Sequence, residues 1–238
     1  MTAPLFLADD VGGDVLTLAG DEGRHAATVR RIRPGERVDV GDGRGTVAGC
    51  VVAAVAGGTV TLDVVTRRTE EPPSPRLVVV QALAKGDRAE DAVEAMTEVG
   101  VDVIVPWAAA RSVVRWEGAR GEKALHRWRA TAREAAKQSR RAWVPEVTAL
   151  ATTAEVARRA RDAALAVVLH EAATTPLPDP PPGGDVVVVV GPEGGLTDDE
   201  VAALGTPYRL GPSVLRTSTA GVAAAAVLLS RTARWSSY

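Results

Sequence analysis

Cysteine is nearly missing: Cys50 stands alone in 238 residues. One thiol closes no intrachain disulfide and builds no cysteine-rich zinc site. Histidine is scarce too, and His25, His126 and His170 show no metal-ligand spacing, so no metal is expected. Aromatic residues make up only 3% of the chain against 46% apolar residues overall. A core of ordinary extent must therefore be built from small and β-branched side chains, chiefly alanine and valine. No apolar run approaches the roughly 20 residues of a membrane span, and Val186–Val190 reads as a buried strand. The N-terminus has no basic region and soon meets Asp9 and Asp10, so a signal peptide is not expected. A soluble cytoplasmic protein is the expectation. Two phosphate-binding signatures are also absent: there is no Gly-Lys-Ser/Thr of a P-loop and no G-x-G-x-x-G. A nucleotide-binding α/β enzyme of either kind is thereby excluded.

The net charge is −2, but its distribution is uneven. Between Arg111 and Arg141 ten Lys or Arg face only Glu117, Glu122 and Glu134, and Arg24, Arg30, Arg31, Arg33 and Arg37 face only Glu36. Local basic patches attract phosphate whatever the total charge, so RNA is a candidate partner. Solvated helix faces would carry the same charges.

Residues 1–68 read as a small β-rich domain. Strands are expected at Val15–Leu18, Glu36–Val40, Thr46–Val55 and Thr59–Thr66, with a short helix carrying His25 and Arg30 after the first. Gly57-Gly58 is a two-residue hairpin signal, and close strands joined by tight turns suggest a small barrel. Thr69–Pro75 holds three prolines in seven residues and marks a semi-rigid domain boundary. Beyond it strands and helices alternate. Strands are expected at Leu77–Ala82, Val101–Pro106, Leu165–Leu169, Val186–Val190 and Tyr208–Leu210. Helices are expected at Arg88–Val99, Glu122–Arg140, Ala154–Ala163, Asp198–Leu204 and Thr219–Arg231. Such alternation implies an α/β domain with a parallel sheet covered by helices.

Ligands of open α/β sheets bind at the carboxyl ends of the strands. Three such ends carry unusual residues: Leu169-His170-Glu171, Gly191-Pro192-Glu193-Gly194-Gly195, and Leu210-Gly211-Pro212-Ser213-Val214-Leu215-Arg216-Thr217. Thr197 and Glu200 form the capping box of the helix that follows the second. Asp198 and Asp199 in its first turn argue against a phosphate there. The glycines suit close backbone approach by a flat or cationic ligand, and Glu193 could face a positive centre. Val214 and Leu215 could line a pocket beside a fixed cation, Arg216. Plain core residues and a surface ion pair are the alternatives. The helix Gly221–Leu229 is rich in small residues, which suits close packing, either between two copies or within one core.

The stretch Gly191–Glu200 followed by Leu210–Ala220 strongly resembles the RsmE family of 16S rRNA (uracil-N3) methyltransferases, in the SPOUT or trefoil-knot superfamily. His25–Arg31 and Gly41-Asp-Gly43 resemble the family's PUA-like domain. Lys85–Arg88, Glu98–Gly100, Arg111–Val113, Glu134–Arg140 and Val144-Pro145 resemble its central motifs. The resemblance implies a PUA-like RNA-binding β-barrel domain at 1–70 and an α/β SPOUT trefoil-knot methyltransferase domain at 76–238. It also implies a homodimer and S-adenosylmethionine (SAM) bound in the knot. Carried over by position, the SAM pocket would comprise Leu169, His170, Gly191, Pro192, Glu193, Gly194, Leu210, Gly211, Val214, Leu215, Arg216, Thr219 and Ala220. The sequence departs from the family at Ser218, where the family usually has Glu, and at Ala95 and Val99.

Arg216 is the candidate for stabilising charge on the target base. Glu193 is the second catalytic candidate, and Glu193 and His170 are both open as general base. RNA contacts are expected from His25, Arg30, Arg31, Lys85, Arg111, Arg115, Gln138, Arg140 and Arg141. The partner would be 16S rRNA, within the small ribosomal subunit. A knotted methyltransferase acting on another rRNA or tRNA nucleotide, and a catalytically silent RNA-binding or ribosome-assembly factor, remain as alternatives.

Overall fold

The structure is a computed structural model and describes residues 3–84, 86 and 88–236. It divides into two compact units, one of residues 1–72 with 136–144 and one of residues 73–135 with 145–238. The division falls in the proline-rich linker. The segment 136–144, which lies within the stretch expected to form the second domain, groups with the first unit.

The first unit holds a five-stranded sheet in the order β1-β3-β4-β5-β2. Its strands are β1 (Leu5–Leu7), β2 (Val15–Leu18), β3 (Arg37–Gly41), β4 (Thr46–Ala56) and β5 (Thr59–Thr69). Ala56 pairs with Thr59 across Gly57 and Gly58, whose φ values are +57° and +80°. Positive φ at both central residues is what a type I′ hairpin turn requires, and glycine adopts it without a Cβ clash. Helix α1 (Gly20–Arg24) runs into a π-helical turn, His25–Val29. The core holds Phe6, Leu18, Val38, Val40, Val60 and Leu62. Segment 136–144 docks through Trp143, which donates its indole N–H to the Glu70 carbonyl at 3.1 Å, and through Val144 N–H, which donates to Gly43 O at 3.0 Å.

The second unit is a six-stranded sheet in the order β11-β9-β10-β6-β7-β8, every pair parallel. The strands are β6 (Arg76–Ala82), β7 (Val103–Trp107), β8 (Glu146–Val147), β9 (Leu165–Leu169), β10 (Asp185–Val190) and β11 (Pro207–Tyr208). Parallel strands need crossovers, and here helices supply most of them. They are α2 (Arg88–Val99), α3 (Gly118–Gln138), α4 (Thr153–Asp162) and α5 (Asp198–Leu204), while α6 (Thr217–Leu229) and the short α7 (Ala233–Ser236) follow the last strand.

Alternation along β6 and β10 builds two cores. Leu77, Val79, Val186 and Val188 face Met96 of α2, Trp128 of α3 and Leu228 of α6. Val78, Val80, Val187 and Val189 face Val156 of α4 and Leu204 of α5. Strands buried on both faces need unbroken apolar runs, which is why this sheet reads as valine strings. Gly221 lets α6 lie close to the sheet, since a Cβ there would sit 3.2 Å from Met96 Sδ and 3.3 Å from Val79 Cγ1. No helix among the described residues is long and apolar enough to cross a membrane.

Candidate functional site

Strands β11, β9 and β10 are neighbours and parallel, so their carboxyl ends open on one edge of the sheet. The segments that leave them enclose a cavity of about 750 Å³. The loop after β9 contributes Leu169, His170 and Glu171. The loop after β10 contributes Gly191, Pro192, Glu193 and Gly194, with Gly195 and Leu196. The segment after β11 contributes Leu210, Gly211, Val214, Leu215 and Arg216, and α6 adds Ser218 and Ala220. Twelve of the thirteen residues expected at the cofactor site thus line one cavity. Thr219 does not line it and stands exposed on α6. Arg88, Arg111, Tyr208 and Arg209 line the cavity without having been assigned to it from sequence.

Backbone geometry fixes this site. Thr197 caps α5 by accepting from Glu200 N–H, and Glu200 answers by accepting from Thr197 N–H at 3.0 Å. Gly191 leaves room for Leu196, whose Cδ2 a Cβ would meet at 2.8 Å. Arg209 holds the third loop by donating Nε to Gly211 O at 2.8 Å and Nη2 to Pro212 O at 3.2 Å. Arg216 is the N-cap of α6, and its carbonyl accepts from Thr219 and Ala220 N–H.

Among the described residues, neither the Arg216 guanidinium nor the Glu193 carboxylate has a hydrogen-bond or ion-pair partner, and both are exposed toward solvent. His170 is different: its Nδ1 accepts from Ala172 N–H at 3.2 Å. Neutral imidazole has one donor and one acceptor nitrogen, so Nε2 carries the proton. Two apolar side chains of the cavity are open to solvent, Val214 at 75% and Leu215 at 38%.

The residues expected to meet RNA fall in both units. His25, Arg30, Arg31, Gln138, Arg140 and Arg141 belong to the first. His25 is half-buried and packs edge-on against Phe6, with ring centroids 6.3 Å apart. Arg30, Arg31, Gln138 and Arg140 are exposed, and Arg141 is half-buried. Arg31 and Arg140 hold positive φ, +53° and +57°. One cation of the basic run is inward: Lys137 meets Glu22 at 2.8 Å with its side chain 4% exposed. In the second unit Arg115 is exposed, while Arg111 donates Nη1 to the carbonyls of Gly194 at 3.3 Å and Leu196 at 3.1 Å. Lys85 lies outside the described residues.

Comparison with known proteins joins this geometry to a family. Residues 70–229 match the family described as RNA methyltransferase domain, and residues 18–65 match the RNA methyltransferase PUA domain. The ribosomal RNA small subunit methyltransferase E of Mycobacterium tuberculosis is 46% identical over 247 aligned positions, covering 99% of this chain and 94% of that protein. Its namesake from Bacillus subtilis is 31% identical, covering 86% of this chain and 85% of the relative. In three dimensions the chain resembles a methyltransferase from Legionella pneumophila solved with SAM bound. Its TM-score is 0.87 at 27% identity, over 98% of this chain and 99% of that one. It also resembles the ribosomal RNA small subunit methyltransferase E of Neisseria gonorrhoeae bound to SAM. That TM-score is 0.84 at 26% identity, over 96% and 98% of the two chains. The architecture is accordingly that of a SPOUT-type α/β methyltransferase with a PUA domain, and the chain belongs to the ribosomal RNA small subunit methyltransferase E family.

Proposed function

We propose that the cavity binds SAM and that the chain methylates N3 of a uridine in 16S rRNA of the small ribosomal subunit. One observation carries the reading. The Gly191–Leu196 loop and the Arg209–Ser218 segment meet in a single cavity, in a chain whose fold matches two methyltransferases solved with SAM.

The residues present fit the cofactor. Exposed Val214 and Leu215 offer an apolar cover for a flat ring. Gly211 has open space where a Cβ would be, so ligand can approach the backbone closely. Glu193 offers an unshared carboxylate to a positive centre. When bound, SAM supplies an electrophilic methyl group on a sulfonium.

Uracil N3 lies on the pairing edge and carries a proton, so the target base must be unpaired or flipped out. Loss of that proton spreads negative charge onto the carbonyl oxygens. Arg216 is always protonated and unpaired among the described residues, which suits it to stabilise that charge and unsuits it as a base. Of the two candidates for the base, we assign Glu193. His170 Nδ1 is occupied by the Ala172 N–H, which turns Nε2–H toward the role of donor. Holding the two reactants in place can supply about 7–11 kcal/mol of the barrier, so the loops themselves do much of the catalysis.

Within this reading residues 1–70 form the PUA-like RNA-binding domain, which segment 136–144 joins, and the rest of residues 76–238 the knotted methyltransferase domain. His25, Arg30, Arg31, Gln138, Arg140 and Arg141, with Arg115, are assigned to phosphate contacts that position RNA without reading its sequence. The active form is a cytoplasmic homodimer that packs through α6. From Ala220 to Leu229 that helix is apolar on all sides, yet Val222, Ala223, Ala226 and Val227 are only half-buried.

The test is deletion of the gene in its host followed by nucleoside analysis of 16S rRNA. Loss of 3-methyluridine, restored by this chain but not by Arg216→Ala or Gly191→Ala, is the expected result. Intact 3-methyluridine in the deletion strain sinks the uridine assignment and directs the search to another nucleotide. SAM binding without turnover on any rRNA favours the silent assembly factor.

A further inference from the structure

The loop after β7 is tied to the loop after β10, although β6 lies between those two strands. Two side chains make the tie. Glu200 is 4% exposed and divides its carboxylate. Oε2 accepts from Thr197 N–H and completes the cap of α5, while Oε1 accepts from Ala110 N–H at 2.8 Å. Arg111, the next residue, reaches the other way and donates Nη1 to Gly194 O and Leu196 O. The backbones touch as well. A Cβ on Gly194 would lie 3.1 Å from Arg111 Cβ and 3.2 Å from its carbonyl oxygen. Ala109 and Ser112, on either side of the tie, are 0% and 5% exposed.

The loop held this way has reason to need holding. It contains Gly191, Gly194 and Gly195, the last at φ +72°, and glycines lose the most conformational freedom on ordering. A loop that must order itself on each binding event loses affinity, and one ordered beforehand does not. Two carbonyls fixed by one guanidinium set the peptide planes from 194 to 196. The carboxylate that caps the following helix fixes where the guanidinium's own loop begins.

We propose that Arg111 and Glu200 are positioning residues that pre-order the Gly191–Leu196 loop for SAM. Arg111 then acts on the cofactor side of the reaction, apart from the RNA-phosphate role its charge suggests. The proposal rests on the SAM reading of the cavity.

The experiment is calorimetric titration of SAM into the full chain and into Arg111→Ala, Arg111→Lys and Glu200→Gln. Binding of a 16S rRNA fragment is measured in parallel across a salt series. Arg111→Ala is expected to weaken SAM about tenfold, equal to about 1.4 kcal/mol, and Arg111→Lys to recover part of the loss through its own N–H donors. Glu200→Gln has one acceptor oxygen where Glu200 has two, and is expected to weaken SAM as well. In turnover assays the loss is expected in KM for SAM, with kcat retained at saturating SAM. A variant that merely failed to fold would lower kcat at an unchanged KM, which counts against positioning. RNA affinity and its salt slope are expected to match the wild type. A SAM affinity of Arg111→Ala equal to wild type overturns the proposal, as does a salt slope lower by about 1, the mark of a lost phosphate contact. Wild-type chain that binds no SAM removes the reading of the cavity itself, and this proposal with it.

Discussion

Arg234 Nη1 lies 2.6 Å from Asp102 Oδ2 and Nη2 lies 3.1 Å from Oδ1, with the Asp102 side chain 7% exposed. The same guanidinium donates to the carbonyls of Pro75 and Gly100, and Asp102 Oδ2 accepts from Leu77 N–H. One side chain near the C-terminus thus joins the start of β6, the end of α2 and the turn into β7. Arg234→Ala removes a bidentate cation from a buried carboxylate, and breaking such buried pairs costs about 3–5 kcal/mol. Denaturant unfolding should show a clearly lower midpoint. An unchanged midpoint would mean that water reaches Asp102 and replaces the arginine.

How much of this was legible in the sequence depends on how local each signal was. The buried strands β6 and β10 announced themselves as valine runs, and the Thr197–Glu200 capping box was readable because all its partners lie within four residues. Strand β1 has three residues and β8 two, too short for any alternation, and each exists only through its parallel partner. The regrouping of 136–144 depends on Trp143 and Val144 meeting residues some 70 to 100 positions away. Most of the cavity was legible because its residues follow strand ends in one sheet. Arg111 shows the limit: charge alone does not say whether a guanidinium faces phosphate or the carbonyl oxygens of its own chain.

Gly45 is where the first unit should tolerate change least. Its φ is +103°, and a Cβ there would lie 2.6 Å from Glu70 O and 2.8 Å from the Trp143 indole. Backbone and a ring cannot swing aside as a flexible chain end can. Gly45→Ala combines overpacking, about 1–3 kcal/mol, with a backbone conformation that alanine resists. Trp143 fluorescence is the local readout, since the substitution should loosen 136–144 before the whole unit melts. Gly35→Ala is the control for φ alone, because φ there is +87° with nothing within 4 Å.

Glu155 should make α4 sensitive to acid. Thr152 donates both N–H and Oγ1–H to Glu155 Oε2, each at 2.8 Å. The backbone bond first, then the hydroxyl, and then the charge of Arg158 hold this carboxyl below its ordinary pKa. A lowered folded pKa gives stability that is complete above the ordinary carboxylate value, about 4.3, and that fades as pH falls through the folded value. The stability gap between wild type and Glu155→Gln should be flat from about pH 6 to 8 and close in acid. A gap that persists undiminished in acid would show that the charge is not what the cap uses.

Cys50 should be inert while the first unit is folded. The side chain is 3% exposed, and burial, reinforced by the negative charge of Asp39, pushes the thiol pKa up to about 11. At pH 8 the thiolate, which is the reactive form, is scarce as well as inaccessible. Alkylation by iodoacetamide should therefore wait for unfolding and report the stability of the first unit. Rapid labelling of native protein would contradict this burial.

The half-buried face of α6 leads to a prediction about assembly. Val222, Ala223, Ala226 and Val227 share that face, while Ala224, Ala225, Leu228 and Leu229 are buried within the chain. An apolar helix face left half in water loses stabilisation that a second copy would restore. Ala226→Arg adds a charge on the outer face without touching the inner one, so each chain should still fold. Light scattering should report a dimer for wild type and a monomer for the variant. SAM affinity measured on the same samples then shows whether the cavity needs the second copy. A variant that stays dimeric places the contact elsewhere and leaves the exposure of α6 to be explained by RNA.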